Sequence, residues 1–111
     1  MRTIQRVILV PSILSQLNTT PGQGNTSYLR QQNLAVLNRL GKLVWEAGGL
    51  PILVNLIEEN SVDKQLVASV LRTSGDEGES LLTKLLKLHK SEKVRMAAAS
   101  VLSYRLPLNQ N

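Results

Sequence analysis

Apolar residues recur along this chain at helical spacing, and no stretch alternates convincingly enough for a sheet. From 28 to 47 they stand at Leu29, Val36, Leu37, Leu40, Leu43 and Val44, which predicts one helix. Ser27 is placed to cap its start, and Gly48 and Gly49 to release its end. Pro51 then suits the first turn of a second helix, where its missing N–H has no intrahelical role. Leu50, Leu53, Leu56 and Ile57 give that helix a buried face, and Asn60 closes it. Ser61 is placed to cap a third helix, with Asp63 in its first turn and a stripe of Val62, Leu66, Val67, Val70 and Leu71. Residues 73–80, TSGDEGES, predict a turn, with Asp76, Glu77 and Glu79 at the N-terminal end of the next helix, where negative charge is favourable. That helix carries Leu81, Leu82, Leu85, Leu86 and Leu88 on one face, and Lys84, Lys87 and Lys90 on the other. Ser91 caps a last helix with Val94, Ala97, Ala98, Val101 and Leu102 inward, and Pro107 ends the fold.

The first residues are less regular. Ile4, Val7, Ile8, Ile13, Leu14 and Leu17 are divided by Pro11, predicting one or two short helical pieces, although 7–10 equally suits a strand. Residues 18–27, NTTPGQGNTS, are a loop by their Pro, Gly and small polar content. The organisation expected is a helical segment and loop over 1–27, a repeat domain over 28–107, and a tail over 108–111.

The chain repeats itself. ASVL occurs at Ala68, Ser69, Val70 and Leu71 and again 31 residues later, at Ala99, Ser100, Val101 and Leu102. GLPILVNLI from Gly49 corresponds to GESLLTKLL from Gly78 at an offset of 29, and Ala35, Val36 and Leu37 stand 34 before Ser69, Val70 and Leu71. Offsets in this range indicate stacked helical repeats. On this reading ASVL is the inner seam of one type of helix, with small Ala residues allowing close packing.

These residues resemble a known family. EAGGLPILVNLI (46–57) is similar to the armadillo repeat, in which an Ala-Gly-Gly turn precedes a Leu-rich helix with an early Pro. EKVRMAAASVL (92–102) resembles that family's third helix and the related HEAT repeat. The resemblance covers roughly 46–106, with a further third helix over 28–45. It implies an all-α superhelix whose third helices line a concave groove that holds an extended peptide or a partner helix. Many armadillo proteins carry a Trp and an Asn one turn apart on those helices. The Trp position maps to Ala35, Ser69 and Ser100, and the Asn position to Arg39, Thr73 and Tyr104; none is Trp or Asn. Recognition of basic peptides, as in nuclear import, is therefore not implied, and the net charge of +5 opposes it.

Spacing alone still makes the mapped face coherent. Gln31, Ala35 and Arg39 lie at i, i+4 and i+8, as do Gln65, Ser69 and Thr73, and Met96, Ser100 and Tyr104. Side by side these rows would form a shallow polar surface with Arg39, Met96 and Tyr104 as its larger anchors, Arg and Tyr being favoured hot-spot types.

Composition narrows the chemistry. With 111 residues, one modest core is expected. Its apolar content is aliphatic, with no Phe and only one Trp and two Tyr. The absence of Cys removes disulfides, thiol catalysis and Cys-ligated metal, and fits a reducing compartment. The single His89, expected at the surface, cannot build a typical zinc site. Asp76, Glu77 and Glu79 lack the spacing of a calcium loop, and Gly48 and Gly49 lack the Lys-Ser/Thr of a phosphate loop. No enzyme and no cofactor is expected. Trp45 is expected to pack at a helix end. The run 7–10 is too short to cross a membrane or to form a secretory signal, so the two Asn-X-Ser/Thr sequons are expected to be loop composition. An acid-free start with Arg2 and Arg6 also resembles a mitochondrial transit peptide, but ordinary N-termini share that composition. A cytoplasmic place is expected, with the nucleus as alternative.

Charge is uneven. Arg2, Arg6, Arg30, Arg39 and Lys42 precede the first acid, Glu46, and from there eight basic and eight acidic residues balance. The leading expectation is a non-enzymatic scaffold or adaptor that binds a protein partner, peptide or helix, through Arg39, Gln65, Ser69, Thr73, Met96, Ser100 and Tyr104. The alternative is a small basic helical protein that binds nucleic acid or anionic surfaces through its acid-free half. A third reading is self-association through open repeat ends.

Overall fold

A computed structural model describes residues 3–17, 27–59 and 62–103. Every regular element among them is helical: α1 (Thr3–Leu17), α2 (Ser27–Leu40), α3 (Lys42–Glu46), α4 (Leu50–Leu56), α5 (Lys64–Thr73), α6 (Asp76–Leu88) and α7 (Glu92–Ser103). The loop expected over 18–26, the tail, Asn60, Ser61, Tyr104 and the side chain of Ser27 lie outside the described residues.

In α1 the helix runs through Pro11, and the strand alternative for 7–10 falls. The reason is the buried face. Val10, Ile13, Leu14 and Leu17 are spaced i, i+3, i+4 and i+7 and all enter the core, while Pro11 stays exposed. The helix predicted over 28–47 is two helices. Gly41 adopts φ +51°, a left-handed conformation that an L side chain resists, and this separates α2 from α3. A Cβ on Gly41 would also lie 2.9 Å from the Thr73 carbonyl oxygen. The predicted end of α3 is present: Gly49 N–H donates to Val44 O and Gly48 N–H to Trp45 O, with Gly48 at φ +74°, the paired bonds of a glycine-terminated helix.

Pro51 stands in the first turn of α4 as expected, but α4 ends at Leu56. Lys64 explains how the early end is tolerated. Its ammonium donates to Ile57 O at 2.6 Å and to Glu59 O at 2.9 Å, satisfying carbonyls that a helix end leaves without partners. Asp63, expected inside the first turn of α5, is its cap: Oδ1 accepts from Leu66 N–H at 3.2 Å. The turn predicted over 73–80 shrinks to Ser74 and Gly75, because α6 begins at Asp76 and carries Asp76, Glu77 and Glu79 in its first turn. Ser91 Oγ accepts from Val94 N–H at 3.4 Å as the cap of α7. Leu88, expected on the inner face of α6, is 78% exposed.

Helices α2, α5 and α7 lie side by side in that order, and α6 packs across α5 and α7. Helices α1, α3 and α4 occupy the same side as α6, with α1 against α2, α3 and α4. The molecule measures 37 × 32 × 20 Å, and its thin dimension is about two helix diameters. One apolar core runs between the layers from Val10 to Val101. At Gly78 the approach of α6 to α5 is closest. A Cβ there would lie 1.7 Å from the Leu71 carbonyl oxygen, so only glycine fits. In the first ASVL, Ala68, Val70 and Leu71 are fully buried; in the second Val101 is buried and Leu102 half-buried. The difference follows from α7 having α5 and α6 on one side and no described helix on the other.

Candidate partner-binding surface

Polar side chains lock α2, α5 and α7 together. Asn38 Oδ1 on α2 accepts from Ser69 Oγ at 3.1 Å and lies 3.2 Å from Thr73 Oγ1, both on α5. Gln65 Nε2 on α5 donates to Ser100 Oγ on α7 at 2.6 Å. Arg72 reaches from α5 to the Val101 carbonyl of α7 at 2.7 Å. Of the residues expected on this face, Gln65 and Ser100 bond each other across one seam, and Ser69 and Thr73 meet Asn38 across the other. Arg39 and Met96 remain exposed, Met96 by 61%.

Asn38 was missed. Matching Ala35 to Ser69 relied on the apolar letters around them, at an offset of 34. The residue beside Ser69 is Asn38, 31 earlier, and Ser100 stands 31 later. The uniform step of 31 through Asn38, Ser69 and Ser100 was present in the chain and would have found it. Gln31, Ala35 and Arg39 instead line the outer face of α2, where with Tyr28, Gln32 and Val36 they form an open groove of about 490 Å³. Gln32 Nε2 donates to Tyr28 Oη at 2.8 Å along its rim.

Two further side chains, Arg30 and His89, depart from expectation, and a third, Lys64, is perturbed by burial. Arg30, counted among the uncompensated bases of the first half, is 2% exposed and pairs with Glu59 at 2.5 Å. It is unavailable to a phosphate, which leaves Arg39 and Lys42 as the exposed bases of α2 and α3. The Nε and Nη2 of Arg30 have no acceptor among the described residues. His89 is largely buried rather than a surface residue. Its Nδ1 accepts from Ser91 N–H at 3.0 Å, so Nε2 is the nitrogen that donates to Glu58 at 2.9 Å. Lys64 has a pKa below its ordinary value, first because burial disfavours the ammonium and second because Lys93 is near, with Glu58 and Glu59 opposing.

Trp45 does not pack inside. It is 40% exposed, and its Nε1 donates to Glu77 Oε1 on α6. Beside it a cleft of about 690 Å³ separates α4 from α6. No group of three or more acidic or His side chains among the described residues could hold a metal ion, and none of the described helices is long and apolar enough to cross a membrane. No family model, no curated protein and no solved structure matches the chain.

Proposed function

We propose that the chain is a non-enzymatic scaffold or adaptor, an armadillo- or HEAT-like stack of helical repeats, holding a peptide or partner helix on the face formed by α2, α5 and α7. One observation carries the reading. Beyond the Gln16–Asn33 bond of α1 to α2, distant side-chain bonds join residues about one repeat apart: Arg30 to Glu59 (29), Asn38 to Ser69 (31), Glu58 to His89 (31), Trp45 to Glu77 (32) and Gln65 to Ser100 (35). Neighbour-to-neighbour contact at a constant sequence step is the behaviour of stacked repeats. The locked seams make α2, α5 and α7 one rigid surface, which reduces what a partner loses in ordering it. Met96 supplies its prominent side chain, and Arg39 flanks it from the outer face of α2.

The test is selection from a random peptide library on the intact chain, followed by mapping the selected peptides through backbone amide chemical shifts. Shifts on α2, α5 and α7, weakened by Arg39→Ala and Met96→Ala, support the proposal. No enrichment over an unrelated helical protein, or shifts confined to other helices, removes it.

A further inference from the structure

A cleft lies between α4 and α6, and none of Arg39, Ser69 and Met96 lines it. It exists because α6 is drawn onto α5 at Gly78 and packs on α5 and α7, while α4 packs on α5 and α1. The two helices of that layer are left with a gap between them. Its floor is apolar: Leu50, Pro51 and Val54 from α4, and Leu81 from α6. Its volume of about 690 Å³ falls within the roughly 300–1,000 Å³ usual for ligand sites.

The polar groups of the cleft are unlike at its two ends. Glu77, Ser80, Leu81 and Lys84 line it from α6 at i, i+3, i+4 and i+7, so they share one face. One end holds the Glu77 carboxylate beside the exposed indole of Trp45, fixed there by the Nε1–H bond. A carboxylate next to an aromatic face is a seat for a cation. The other end holds the Lys84 ammonium, which has no carboxylate partner among the described residues. Asn55 also lines the cleft. Seven residues of helix separate the charges by about 10 Å at 1.5 Å per residue. A segment in the polyproline II conformation rises about 3.1 Å per residue with three residues per turn, so it spans that distance in about three residues and brings positions i and i+3 to one face.

We propose that this cleft binds an extended protein segment carrying a basic and an acidic residue three apart with apolar residues between them. The basic side chain meets Trp45 and Glu77, the apolar pair meets Pro51, Val54 and Leu81, and the acidic side chain meets Lys84. The site is independent of the α2, α5 and α7 surface and shares no residue with it.

The chain has a single Trp, so the emission of Trp45 reports this cleft directly. The probes are Ser-flanked peptides containing Arg-Leu-Leu-Glu, Glu-Leu-Leu-Arg, Arg-Leu-Leu-Arg or Ser-Leu-Leu-Ser, titrated into the full chain. Saturable change with at least one of the two mixed-charge peptides, and much weaker change with the other two, is expected. Lys84→Glu lies on an exposed position and leaves the fold intact. It weakens the bound mixed-charge peptide about five- to tenfold and strengthens Arg-Leu-Leu-Arg by a similar factor. Equal binding of Ser-Leu-Leu-Ser, affinity unchanged by Lys84→Glu, or no saturable change with any peptide overturns the proposal. These readouts are separate from Arg39 and Met96, so either site can fail without the other.

Discussion

Arg30 and Glu59 carry opposite risks. The guanidinium is buried and the Glu59 side chain is 36% exposed. Removing the carboxylate strands a charge in the core, whereas removing the guanidinium leaves a carboxylate that water can reach. Glu59→Gln is therefore expected to lower unfolding free energy by about 3 kcal/mol, and Arg30→Met by clearly less, because breaking a buried pair from the solvated side leaves the worse remnant. Urea unfolding of the two variants measures the order. Lys64 gives a pH signature. Its folded pKa lies below the ordinary 10.5, so as pH rises toward 10.5 the unfolded chain holds the proton longer than the folded one. Stability from this group rises with pH across that window. Lys64→Met should remove the rise, seen as a lost difference between the two proteins in alkaline thermal melts. Neither effect was legible in the sequence. Arg30 becomes buried only because Glu59, 29 residues away, is brought to it. Lys64 acts on carbonyls whose exposure depends on where α4 stops.

At the scale of the helix, sequence signals were read best where they are local. Pro51, Gly48 and Ser91 act within one turn of their own position and stand where their chemistry predicted. Gly41 falls inside the single helix expected over 28–47, and its left-handed backbone and the Thr73 carbonyl facing it from α5 depend on packing that the local pattern does not record. Gly41→Ala should destabilise by about 1–2 kcal/mol from its left-handed backbone. Gly78→Ala should be worse, at least about 3 kcal/mol, since its Cβ would meet Leu71 O of the neighbouring backbone and no side chain can rotate away. Comparing the two by calorimetry weighs a left-handed backbone with a 2.9 Å approach against a 1.7 Å approach on ordinary helical backbone. A Gly78→Ala protein as stable as the parent would mean that α6 need not press on α5 at all.

In the whole molecule, the helical class was legible because it is periodic in the chain. The cleft was not, since it is made by the distance that α4 and α6 keep, and no motif records a distance. Trp45 was assigned to packing for that reason. The seam between α2 and α5 can be tested at one residue. Asn38→Ala removes the acceptor of Ser69, while Thr73 keeps the Val70 carbonyl, and should destabilise by about 1 kcal/mol. In native-state hydrogen exchange the loss should fall on α2 before α7, because the bond of Gln65 to Ser100 on the other side of α5 is untouched.

The near-constant step between bonded residues also bears on how the chain finds this structure. Each link from Arg30–Glu59 to Gln65–Ser100 closes a loop of 29 to 35 residues, and the entropy of closure grows only as the logarithm of loop length. Every closure is thus met at nearly the same entropic height. No single late docking event stands above the rest, as it does where the two ends of a chain must pair in one sheet.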